Sequence, residues 1–338
     1  MGYYLLVLLS AALFSVSFVF TKYFQSKYGT GVFAGIVFRG VVSLCLLILF
    51  LGLNKFRLRI TGFSVFMAIC SAIVQVSMFV ISTKTLENTN LALYSLFSML
   101  GGMLLPFFYG LCIGESLTVP KIIGIVLIIS SMFVALNKSG GRRVRKMDIF
   151  YFSAIFVLNG MNGVFADMHG KTSLQTVNVY EFIVLINLFC IMICIVACGA
   201  AKIFGPKTKS VAALEGNSFT EAAEPRQETV ESRKEEIESQ KKEVDVLQVV
   251  GGRLHRRTLA LVAIFVGMAL GYALTNGLGN YIVIELAPYI DASFKYPLVT
   301  GGCILFSTLF GIFFKEKITI LKIISFLLVL GGTVLMLF

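Results

Sequence analysis

Gly114-Glu115-Ser116-Leu117-Thr118-Val119-Pro120-Lys121-Ile122-Ile123 returns 201 residues later as Lys315-Glu316-Lys317-Ile318-Thr319-Ile320-Leu321-Lys322-Ile323-Ile324. The glutamate, the threonine, the lysine and both isoleucines recur in register. The same shift carries Gln75 onto Asn276, and Gly101-Gly102 matches Gly301-Gly302 at a shift of 200. Self-similarity at a long fixed period marks an internal duplication. Around these segments, apolar blocks bounded by Gly, Pro and charge fall near residues 2–22, 31–53, 61–84, 89–113 and 121–137. Five more follow near 148–168, 177–203, 258–284, 290–314 and 319–337. Most reach or approach the roughly 20 residues that a helix needs to cross about 30 Å of hydrocarbon at ~1.5 Å per residue.

Five spans per copy is an odd number, so the second copy enters the bilayer from the opposite face and the halves are inverted repeats. The expected fold is an all-α integral membrane protein of about ten spans. Residues 1–138 form the first five-helix repeat, and 148–203 with 256–338 form the second. Residues 204–255 are a charged insert between spans 7 and 8. Many secondary transporters share this plan, with a substrate site near the midplane where the halves meet.

Composition points the same way. Of 338 residues, 57% are hydrophobic and 14% charged, against about a quarter charged in an ordinary soluble domain. The net charge of +11 does not indicate nucleic acid, because the basic residues cluster between apolar blocks, as membrane loops do. All seven cysteines lie inside apolar blocks, without metal-ligand spacing or a disulfide framework. Residues 205–255 are rich in Glu and Lys and read as a solvated linker, with 228–248 as its helix candidate. Met1–Phe20 lacks a basic leader and is counted as the first span.

With Gly-Glu-Ser-Leu-Thr before the Gly124 helix, and Tyr296-Pro297-Leu298 through Phe314-Lys315-Glu316-Lys317-Ile318-Thr319, the chain resembles the EamA-type members of the drug/metabolite transporter superfamily. The resemblance covers the whole chain except the insert. It implies carriage of amino acids, related metabolites or drugs, driven by a proton or solute gradient. It also implies that the fourth and ninth spans line the cavity while the fifth and tenth form a peripheral pair. Arg39 stands where the family expects a basic residue in the second span. The absence of tryptophan and the length of the insert depart from the family pattern.

Ionisable groups within spans cost about 2.5–3.5 kcal/mol at a helix centre, so they persist where they face a polar cavity or a partner. Arg39, about nine residues into its span, is a candidate for binding an acidic substrate group. The repeat-related Gln75 and Asn276 could donate paired hydrogen bonds from opposite halves, with Asn159 and Asn280 as further polar lining. Tyr94 and Tyr296 could stack on a ring. Glu181 and Lys295, each about five residues inside its span, are the proton-coupling candidates. Glu115 with Thr118, and Glu316 with Thr319, are expected to hinge and cap the helices that follow them. For most of these positions, interhelical packing is the competing explanation.

The chain lacks GxSxG, GxxxxGK[ST] and HExxH signatures, and its two histidines, His169 and His255, fall at expected loops. An enzyme is therefore not expected, and neither a cofactor nor a metal is called for. The leading function is a secondary active transporter, an exporter of a small organic solute, in the cell membrane. A non-transporting scaffold or flippase-like protein that binds a partner through the insert is the alternative. Expected partners are a small-molecule substrate and lipid, with a homodimer as a further candidate and no nucleic acid. The Lys/Arg bias puts both termini outside, whereas the resemblance puts both inside.

Overall fold

The computed structural model describes residues 2–28, 32–88, 91–136, 146–204, 262–313 and 320–335. All regular structure among them is helical. In chain order the helices are α1 (Gly2–Tyr28), α2 (Val32–Leu53), α3 (Gly62–Asn88), α4 (Leu91–Cys112), α5 (Val119–Leu136), α6 (Lys146–Lys171), α7 (Val179–Phe204), α8 (Val262–Glu285), α9 (Ala292–Phe313) and α10 (Ile320–Leu335). Each overlaps one of the ten blocks read from the sequence. Among the described residues, α1, α2, α3, α6, α7 and α8 are long and apolar enough to cross a membrane. The apolar runs of α4, α5 and α10 are shorter, at Phe97–Cys112, Val119–Ser131 and Ile323–Leu335.

The chain divides into two compact units, one of residues 1–199 with 268–338, the other of residues 200–267. The two five-helix halves do not separate as units. Their helices pack across the expected boundary: α4 lies most extensively on α6, α5 on α10, and α1 on α9. Most of the insert, including 228–248, lies outside the described residues, as do Glu316, Thr319 and His255.

Glycines set the closest crossings. A Cβ at Gly101 would overlap the Phe156 carbonyl, and one at Gly160 would meet the Gly101 carbonyl, so α4 and α6 touch backbone to backbone. Gly302 lies against Ala11 of α1, and Gly332 against the Gly124 carbonyl of α5. Small residues permit this approach where dispersion, rather than water exclusion, holds helices together. Leu100, Met103 and Phe107 of α4 join Phe294, Leu298 and Val299 of α9, with Val7 and Ala11 of α1, in one buried apolar cluster. Large apolar side chains such as Leu5, Ile48, Phe66, Val126, Ile195 and Leu327 point outward. Such a coat fits hydrocarbon rather than water.

The expectation that α4 and α9 line a cavity is corrected: they meet face to face and fill the space between them with Phe and Leu. The loop placement of His169 is corrected too. It lies in the last turn of α6, where it contacts Ser64 Oγ at 3.0 Å and stacks on Phe182 at 3.6 Å.

Gly101→Ala is expected to cost about 1–3 kcal/mol by overpacking against α6. Gly331→Ala, whose Cβ would meet nothing, serves as the control. Thermal unfolding in detergent should show a clear fall in Tm for the first and little change for the second.

Candidate functional site

Two polar assemblies interrupt the apolar interior. The first surrounds a cavity lined by α2, α3, α6, α7 and α8. Arg39, at the start of the third turn of α2, is 6% exposed. Its Nη2 donates to Gln75 Oε1 and approaches Cys190 Sγ at 3.7 Å. Gln75 Nε2 in turn donates to Asn162 Oδ1 at 3.0 Å. These donors link α2, α3 and α6 in one chain. From α8, Asn276 and Asn280 reach the same cavity, and Asn280 Nδ2 donates to both the backbone oxygen and Oδ1 of Asn276 at 2.8 Å.

Two buried atoms on this lining have no hydrogen-bond partner, Arg39 Nε and Asn187 Oδ1. Leaving buried polar groups unpaired costs about 1–3 kcal/mol each, more for a charged one. The cavity volume is about 40 Å³, room for about three waters at roughly 10–15 Å³ each. In this conformation it admits water or a single small group, so a larger solute requires the surrounding helices to part.

The second assembly closes one end of the bundle. Lys295 of α9 and Asp167 of α6 are both fully buried and meet at 2.5 Å. Lys295 Nζ also donates to the Val283 carbonyl at 3.1 Å. Tyr296 OH lies 2.7 Å from the Gly163 carbonyl and 3.2 Å from Asp167 Oδ1. Lys171, one turn beyond Asp167, bridges Asp167 Oδ2 at 3.3 Å to the Glu115 carboxylate. Two acids and two bases leave the cluster neutral, the condition under which charges survive in a low dielectric.

Glu115 reaches this cluster because of how α4 ends. The Gly114 amide donates to Leu111 and the Glu115 amide to Gly110, with Gly114 at φ +88°. That is a Schellman stop, and it needs a residue tolerant of the left-handed region. The carboxylate then accepts from the amides of Ala292 and Ser293 at 2.8 Å each, capping α9. Burial alone would raise its pKa, yet Lys171 and these two amides hold it below the ordinary carboxylate value.

Several expectations are thereby corrected. Glu115 caps α9 across the bundle, not α5, and the buried Thr118 hydroxyl has no hydrogen-bond partner. Glu181 is not five residues deep: Asn178 caps α7, which begins at Val179, so Glu181 sits in its first turn. There the two form a capping box, Glu181 N to Asn178 Oδ1 at 2.8 Å and Asn178 N to Glu181 Oε2 at 3.1 Å. The Arg59 amide donates to its other oxygen at 3.1 Å. Lys295 lies as expected inside α9, where it is paired with Asp167.

Of the substrate-binding candidates, the structure brings Arg39, Gln75, Asn276 and Asn280 to one cavity. It leaves Tyr94, Asn159 and Tyr296 elsewhere. Tyr94 donates to Ser82 at 3.0 Å, and Asn159 Nδ2 donates to the Ser98 carbonyl at 2.6 Å, a tie between α6 and α4. Sequence reasoning missed the Asp167–Lys171–Glu115 bridge. The i, i+4 spacing of Asp167 and Lys171 was the available signal.

No protein-family model matches the chain, and no curated protein matches it. Among solved structures, a crystal structure described only as that of a protein is similar at a TM-score of 0.64 and 14% identity. The match covers 99% of this chain and 98% of that one. At this identity the similarity is one of fold.

Two predictions follow from the cluster. Asp167→Asn strands a buried ammonium and should cost about 3–5 kcal/mol, whereas the Asp167→Leu, Lys295→Met double variant should lose less than that single change. Chemical denaturation of the set measures the difference. Because the Glu115 pKa is depressed, its contribution is present above about pH 4.5 and is lost as pH falls through the lower folded value. Tm against pH should therefore drop more steeply below that point in the native protein than in Glu115→Gln.

Proposed function

We propose that this chain is an EamA-type secondary active transporter of a small organic solute, working by alternating access between two inverted five-helix halves. The observation that carries the reading is a cavity with polar groups converging on part of its wall. Arg39, Gln75, Asn162, Asn276 and Asn280 converge on it from several helices inside a bundle whose outside is apolar. Polar groups that only tie helices together find their partners within the protein, as in the Lys295–Asp167 cluster. A lined volume with unpaired donor and acceptor atoms is what a transient guest requires.

The helix pairings support a two-fold repeat, and the odd number of spans per half is what would invert it. Under the repeat, α4 corresponds to α9 and α6 to α1, so the α4–α6 and α9–α1 contacts exchange, while α5–α10 and α4–α9 map onto themselves. Gln75 and Asn276, related by the same shift, line the same cavity. The Glu115–Lys171–Asp167–Lys295 cluster acts as the closure at one end. Its pairs tie the α4–α5 turn, α6 and α9, so the opening of that end must break or carry them.

Cysteine accessibility tests this without knowledge of the solute. In a cysteine-free background, Ser71→Cys on the cavity wall should react with a membrane-impermeant thiol reagent from either side of oriented vesicles. Fixing the cluster end by cross-linking should confine labelling to the other side. Labelling from one side only in every condition, or from neither, contradicts alternating access.

A further inference from the structure

We infer that the cavity is built to receive a carboxylate, which pairs with Arg39. This rests on the transporter reading above and adds a substrate class to it.

The argument is one of charge balance. The other deeply buried charges described here come in compensated groups: Lys295 meets Asp167 at 2.5 Å, and Lys171 bridges Asp167 and Glu115. Glu181 is held by two backbone amides. Arg39 is the exception. Among the described residues no carboxylate lies within ion-pair distance of its guanidinium, and its contacts are the Gln75 amide and the Cys190 thiol, neither formally charged. A buried cation without an anion is among the most costly arrangements in a low dielectric. It persists where an anion arrives to complete it.

Geometry names the kind of anion. Arg39 Nε is buried and unbonded, so the guanidinium keeps a free N–H beside the cavity. Gln75 accepts from Arg39 and passes a donor on to Asn162, so the amide chain leaves the Asn162 amino group as a further donor on the same wall. A planar guanidinium with flanking amide donors matches the two-oxygen fork of a carboxylate. The volume of about 40 Å³ suits such a headgroup, with the rest of the solute entering as the helices part. Asn187 Oδ1, also buried and unpaired on this wall, offers an acceptor to an N–H or O–H on the same guest.

The test uses the purified full-length chain and acetate as the probe, with acetamide as its neutral isostere and chloride at equal ionic strength. Acetate should raise Tm by about 2 °C or more, while acetamide and chloride leave it unchanged. Arg39→Gln should abolish the acetate shift and, in the absence of acetate, unfold at the native Tm or above it, because an uncompensated charge has been removed. Arg39→Lys, which keeps the charge without the fork, should retain a smaller shift. An equal shift with chloride, no shift with acetate, or an undiminished acetate shift in Arg39→Gln overturns the carboxylate site. Acetate counterflow in proteoliposomes separates the two claims. A Tm shift without acetate entry supports the site while counting against carriage of acetate. Entry of a neutral solute, unaffected by Arg39→Gln and with no acetate shift, supports carriage and removes the site.

Discussion

A polar atom surrounded by hydrocarbon must find its partner inside the protein, and that constraint organises this chain. Helices satisfy the backbone internally, so the problem reduces to side chains. Among the described residues, two assemblies stand out. At one end Glu115, Lys171, Asp167 and Lys295 neutralise one another and take up backbone donors and acceptors as well. In the interior Arg39, Gln75 and Asn162 form a chain that stops short of satisfaction. The first assembly is balanced in charge, which suits a closure, even though Asp167 Oδ2 and Ser293 Oγ within it make no hydrogen bond. The second carries unspent donors around a small void, which suits a guest.

Close backbone approach makes both possible. Gly101, Gly102 and Gly160 let α4 and α6 touch, which brings Asp167 within reach of α9. The Schellman turn at Gly114 swings Glu115 onto the first turn of α9, so that one carboxylate serves as cap and as ion-pair partner. Pro106, in the second half of α4, and Pro297, in the second turn of α9, each remove a backbone donor from a central helix. Such helices can bend there without losing a hydrogen bond already made. The apolar α4–α9 interface and the cavity beside α2, α3 and α7 are thus separate features of the bundle.

The helix positions were legible because apolar block length and punctuation are local properties. The cavity was partly legible. Arg39, Gln75 and Asn276 stand out as polar groups in apolar surroundings, and two of them share a repeat position. What the sequence could not supply was the partner of each group. Tyr94, Asn159 and Tyr296 have the same composition signals as the cavity residues, yet their hydrogen bonds tie neighbouring helices. Glu181 looked buried and protonatable, but the placement of Asn178 one residue before α7 turns it into a cap. Glu115 reaches a helix 177 residues away in the chain, a pairing that only tertiary packing decides.

The central claim, that the charge-neutral end opens and closes around a polar interior, is tested most directly by distance measurement between spin labels. Labels at Leu174 and Tyr289, exposed positions in the turns beside the cluster, report that end in lipid nanodiscs. The account predicts two distance populations whose ratio changes when solute is added. A single narrow population that no solute or pH alters would contradict it.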